Sequence, residues 1–136
     1  MKPLYPIILL IFFTGCIKEK KQQEQENLVV QAMENGQWKV TNFNKGSNDI
    51  TANFASYNFQ FKSNYTVDAI NSGSVEKTGT WNADATAQSI TSNFINAADP
   101  LALLNGTWLI TNTTWTSVEA KQTASGELRI LRLDKQ

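Results

Sequence analysis

Along most of the chain apolar residues alternate with polar ones, in short runs separated by clusters of Gly, Asn, Ser and Asp. Tyr57, Phe59 and Phe61 fall on one side of an extended backbone and Asn58 and Gln60 on the other, because successive side chains of a strand point to opposite faces. Trp38 with Val40, Tyr65 with Val67, Ile90 with Phe94, and Trp108 with Ile110 repeat the pattern. The alternation predicts about eight strands, near Trp38–Asn44, Ala55–Lys62, Tyr65–Ile70, Val75–Asn82, Ser89–Asn96, Thr107–Thr113, Thr116–Lys121 and Glu127–Leu133. Lys62-Ser63-Asn64, Ser72-Gly73-Ser74 and Ala124-Ser125-Gly126 carry the turn chemistry of hairpins. Short, evenly spaced strands joined by tight turns predict an all-β domain, a small antiparallel up-and-down barrel. A β-sandwich would draw on the same alternation.

Two stretches break the period of two. Leu28–Glu34 sets Leu28, Val29, Ala32 and Met33 at helical spacing and is followed by Gly36. Asp99-Pro100 reads as a helix N-cap with proline at the first helical position, ahead of Leu101–Leu104. Short helices are thus expected before the first strand and near residues 99–104, each covering an end of the β-structure. An internal echo links them. Residues 32–42 (AMENGQWKVTN) align with residues 102–112 (ALLNGTWLITN), with six of eleven positions identical. Each copy is expected to be a helix end, a Gly suited to positive φ, and a strand led by an inward Trp. Gly79-Thr80-Trp81 is a shorter third echo.

The N-terminal segment has a different logic. Lys2 supplies a positive start and Leu4–Phe13 an apolar run of about ten residues, the length of a secretion signal and too short to span a bilayer. Phe13-Thr14-Gly15-Cys16 then resembles a lipobox, with Phe13 standing where Leu is usual. The resemblance implies that residues 1–15 are a lipoprotein signal peptide and that Cys16 is acylated, palmitate being a typical chain. Two or more acyl chains make a stable anchor where one is marginal. Residues 17–27 (IKEKKQQEQEN) bury too little to order themselves, so 16–27 is read as lipidated Cys plus flexible linker, and 28–136 as the folded domain. The expected location is the cell envelope, lipid-anchored to a membrane, with the outer membrane favoured; the membrane is the first expected partner.

Composition narrows the chemistry. With 12 basic and 12 acidic residues and a pI near 6.2, the chain has no basic footprint for nucleic acid. It has no His, and Cys16 is its one Cys, so the usual acid/base group, thiol nucleophiles and Cys/His metal sites are missing. Asp49, Asp68, Glu76, Asp84, Asp99, Glu119 and Glu127 are scattered without paired spacing. No enzyme activity, metal or cofactor is expected.

Gly36-Gln37-Trp38, opening the first strand after a short helix, resembles the G-x-W signature of the lipocalin superfamily. The likeness extends over roughly residues 28 to 134, and the closer resemblance is to the short lipocalin-like lipoproteins common in Bacteroidota. It implies a Trp packed across the closed end of the barrel, beneath an Arg for which Arg129 or Arg132 would serve. It also implies a small apolar or amphipathic ligand. Trp38, Tyr57, Phe59, Phe61, Val67, Phe94, Trp108 and Trp115 would line its site, and Asn112 or Glu119 would orient it. The alternative is a non-catalytic interaction or inhibitory scaffold whose barrel is filled by its own side chains. The loop Asn44–Asn53 would then be the contact surface.

Overall fold

The computed structural model describes residues 29–136; the signal peptide, Cys16 and linker assignments lie outside them. A helical turn at 29–34 precedes nine strands. These are β1 (Trp38–Lys45), β2 (Asn48–Asp49), β3 (Tyr57–Phe61), β4 (Thr66–Asn71), β5 (Ser74–Asp84), β6 (Ser89–Asn93), β7 (Gly106–Thr113), β8 (Ser117–Ala124) and β9 (Glu127–Lys135). Sequential antiparallel pairing from β3 to β9, with β3 on one side of β1 and β9 on the other, closes an eight-stranded barrel. The two-residue β2 hangs on the end of β1 as the extra strand. Closure decides between barrel and sandwich: Trp38 pairs with Lys135, and the β1–β9 ladder runs on to Lys45 and Arg129.

The hairpins follow the turn residues. Ser72 and Gly73 take φ of 51° and 87° between β4 and β5, and Ser125 and Gly126 take 53° and 75° between β8 and β9. Paired positive φ values give a turn whose twist matches that of the flanking strands.

The two copies of the echo close opposite ends of the barrel. In an up-and-down arrangement β1 and β7 run in opposite directions, so the segments that lead into them lie at opposite ends. The Trp38 indole N–H donates to the Met33 carbonyl at 2.9 Å, and the Trp108 indole N–H to the Leu104 carbonyl at 3.0 Å. Gly36 and Gly106 turn the chain between plug and strand with φ of 87° and 103°. Met33 plugs one end; Leu101, Leu103 and Leu104 plug the other, all buried.

Several expectations are corrected. The 101–104 segment is a 3-10 turn with Pro100 at its N-cap and no side-chain cap bond, so Asp99 does not cap it. Residues 44–53 are not an open loop: they form the end of β1, β2 and the start of a 3-10 turn, Thr51–Phe54, whose Phe54 is fully buried. Tyr65 does not share a face with Val67. It adopts φ 63° in the β3–β4 turn and is 51% exposed. β6 stops at Asn93, and Phe94 enters the core from beyond it. In the third echo, Gly79 lies mid-strand, where a Cβ would sit 2.5 Å from the Asn93 carbonyl oxygen.

Candidate functional site

Seven of the eight residues expected to line a ligand cavity, Trp38, Tyr57, Phe59, Phe61, Val67, Phe94 and Trp108, are buried in one core. Their rings pack on one another and on added partners: Phe43 with Phe54 at 5.2 Å and with Trp108 at 5.8 Å, Tyr57 with Phe59 at 6.1 Å, Phe59 with Phe94 at 6.3 Å, and Phe61 with Trp81 at 5.2 Å. The cavity left among Phe59, Phe61, Val67, Trp108, Val118 and Leu131 measures about 50 Å³. Small-molecule sites run to roughly 300–1,000 Å³. The interior is therefore a packed scaffold.

Trp115 lies elsewhere, 56% exposed. The Thr114 hydroxyl accepts from the backbone N–H groups of Thr116 and Ser117 at 3.2 and 3.0 Å. That folds the β7–β8 connection into a tight turn with Trp115 at its tip. The expected Arg over Trp38 is also replaced. Lys135 places its Nζ 5.2 Å from the indole centroid, while Arg132 pairs with Glu119 at 2.7 Å and Asp134 at 2.9 Å, and Arg129 with Glu127 at 3.3 Å.

A larger space opens at the rim. β6 begins at Ser89, opposite Leu109, so β7 rises past it. The Ile110 N–H still reaches the Gln88 carbonyl at 2.8 Å. Above that link the register with β8 shifts between Ile110 and Asn112, an irregularity of the kind that bends a strand. The result is a recess of about 480 Å³ between β5, the β5–β6 turn, β7 and the 29–34 helix. Val29, Ala83, Ala85 and Ile110 give it an apolar floor; Asp84, Gln88 and Asn112 give it polar edges. An apolar floor with a few polar groups is what an amphipathic small molecule needs. On its far side, Val29 and Ala32 meet Thr113, Thr114 and Trp115 in a second hollow of about 250 Å³.

Of the two polar candidates, Asn112 lines the recess, and Glu119 is tied up in its ion pair with Arg132. The core residues singled out from the sequence do not reach it. Ala83 and Ala85, which do, carried a faint signal: small side chains at the end of β5 and in the turn that follows it, where large ones would fill the space.

The titrating groups with shifted pKa values lie away from the recess. A hydrogen bond from Lys62 (2.7 Å) and one from Thr78 (2.7 Å) hold the buried Asp68 carboxyl below the usual range. Burial, with the Glu76 carboxylate accepting its proton at 2.7 Å, pushes the Tyr57 phenol up, and that bond draws Glu76 down. Among the described residues no group of three or more Asp or Glu side chains is placed to hold a metal ion, and no helix is long and apolar enough to cross a membrane.

The barrel has a counterpart among solved structures. The chain is similar to the crystal structure of a DUF4847 family protein from Bacteroides vulgatus, at 17% identity and a TM-score of 0.55, over 79% of this chain and 99% of that one. At that identity the likeness is one of fold. No protein-family model matches the chain, and no curated protein matches it.

Proposed function

We propose that this chain is a lipid-anchored, non-catalytic binding module of the cell envelope that holds a small amphipathic ligand in the rim recess. The observation that carries the reading is the contrast in free volume, about 480 Å³ at the rim against about 50 Å³ inside the barrel. A recess of that size accepts a ligand of ordinary small-molecule dimensions. Its floor of Val29, Ala83, Ala85 and Ile110 favours an apolar body, and Gln88, Asn112 and Asp84 favour a polar head. Val29 lines the recess, so the lipobox and linker would tether the domain at the recess side, keeping it near the membrane. The resemblance to a lipobox supports the anchor, and the scattered carboxylates support a non-catalytic role.

Native mass spectrometry on the domain from Leu28 onward tests the site. A discrete added mass, lost on denaturation and absent from Ile110→Trp, is the expected result; an identical mass in both proteins would refute the recess. For the anchor, Cys16→Ser is expected to abolish acylation and leave an uncut precursor. A normally processed, membrane-extracted Cys16→Ser protein would refute it.

A further inference from the structure

Outside the barrel, across β4, β5 and β6, lies a groove of about 680 Å³ that shares only Ala83 and Asp84 with the rim recess. From this groove we infer a second site, one that binds the sugar units of an oligosaccharide. Thr80, Asn82 and Asp84 are alternate residues of β5 and share its outer face. In register they stand beside Thr66 and Asn93 at Thr80, and beside Thr91 at Asn82. Thr80, Asn82 and Asn93 are exposed and make no side-chain hydrogen bond within the chain among the described residues, so their donors and acceptors are free for a ligand. No Lys or Arg lines the groove, and Asp84 is its one charged residue, which disfavours phosphate, sulfate or carboxylate ligands. The inventory of amides, hydroxyls and a single carboxylate matches adjacent sugar hydroxyls, each of which both donates and accepts.

The aromatic wall completes the argument. The Tyr65 ring is half exposed and leans on Trp81, with centroids 5.9 Å apart and planes at 51°. Trp81 is itself anchored, its indole N–H donating to the Lys62 carbonyl at 3.1 Å and its backbone N–H to the Tyr65 carbonyl at 2.9 Å. A pyranose has an apolar C–H face as well as its hydroxyls; a half-exposed phenol leaning on an anchored indole, beside a row of amides, satisfies both. The groove touches the rim recess at Ala83 and Asp84, but it lies along the row of outward-facing polar residues Thr80, Asn82 and Asp84 on β5.

Isothermal titration of the mature, lipidated chain, held in a detergent without a sugar headgroup, tests this with maltoheptaose, cellohexaose and chitohexaose. At least one is expected to bind saturably at millimolar or tighter affinity. Tyr65→Asn removes the ring and keeps a residue that tolerates positive φ; it and Asn82→Ala, both outward-facing, should each weaken binding by about tenfold or more, roughly 1.4 kcal/mol. Ile110→Trp should leave the affinity unchanged, which separates failure here from failure of the rim recess. Absence of binding to all three sugars, or binding that survives both groove variants in proteins with unchanged melting curves, would overturn the inference.

Discussion

Trp38 is fully buried, and its one polar atom has one partner, the Met33 carbonyl. Truncation therefore acts in two separable ways. Trp38→Ala opens a large hole and is expected to cost about 3–5 kcal/mol. Trp38→Phe keeps most of the ring but strands the Met33 carbonyl, at about 1–3 kcal/mol. Chemical denaturation of the two variants separates the terms, and a Trp38→Phe protein as stable as wild type would show that the hydrogen bond contributes nothing. Asp68 makes a pH-dependent contribution. Its carboxyl titrates lower folded than unfolded, because Lys62 and Thr78 donate to the charged form. The stability it adds is thus complete above the ordinary carboxylate range and is lost as pH falls through the depressed folded value. Asp68→Asn should lower Tm by a few degrees near neutrality, with the gap from wild type closing in acid. A gap that is constant with pH would show that charge is not the cause.

At the level of elements, two glycines separate close approach from backbone conformation. Gly79 has no positive φ, but a Cβ there would meet the Asn93 carbonyl oxygen at 2.5 Å and the Phe94 ring at 2.8 Å. Gly126 has φ 75° and open space around it. Gly79→Ala should therefore push the chain leaving β6 away from β5 and cost several kcal/mol, on the scale of overpacking in a core. Gly126→Asn, an exchange that the turn tolerates, should cost less than about 1 kcal/mol. Thermal melts of the pair check this, and reversed ranks would contradict it. The same elements show what was legible in the sequence. All eight barrel strands could be located because inward aromatics such as Tyr57, Phe59 and Phe61 alternate with polar residues, and the plugs because their apolar spacing changes before Gly36 and Gly106. Alternation misplaced Tyr65, which one positive φ turns away from the face of Val67, and it ran the sixth strand on through Phe94, which reaches the core from beyond the strand's end. Nor could it find the recess. That space depends on β7 running on past the start of β6 and on a register shift in β7, and neither leaves a mark on hydrophobic pattern.

For the whole molecule, the closed barrel divides its interior volume unequally, and two substitutions to Trp read the division directly. Ala120 is 4% exposed and lines the 50 Å³ cavity among Phe59, Trp108 and Leu131. An indole cannot fit there without moving several core rings, and the core is closed at both ends by Met33 and by the 101–104 turn. Ala120→Trp is therefore expected to destabilise by at least the 1–3 kcal/mol typical of overpacking, about that figure being a lower bound for so large an insertion. Ile110 stands at the edge of the core, where β7 has passed the start of β6 and about 480 Å³ is free. Ile110→Trp can direct its ring into that space, so its Tm should stay near wild type while the ligand-derived mass disappears. A barrel that instead carried its ligand inside would give the opposite pair: loss of the bound mass with little destabilisation for Ala120→Trp, and an unaffected complex for Ile110→Trp. Melting curves and native masses of the two variants decide whether the aromatics recognised from the sequence contact a ligand or hold up the wall of the site beside them.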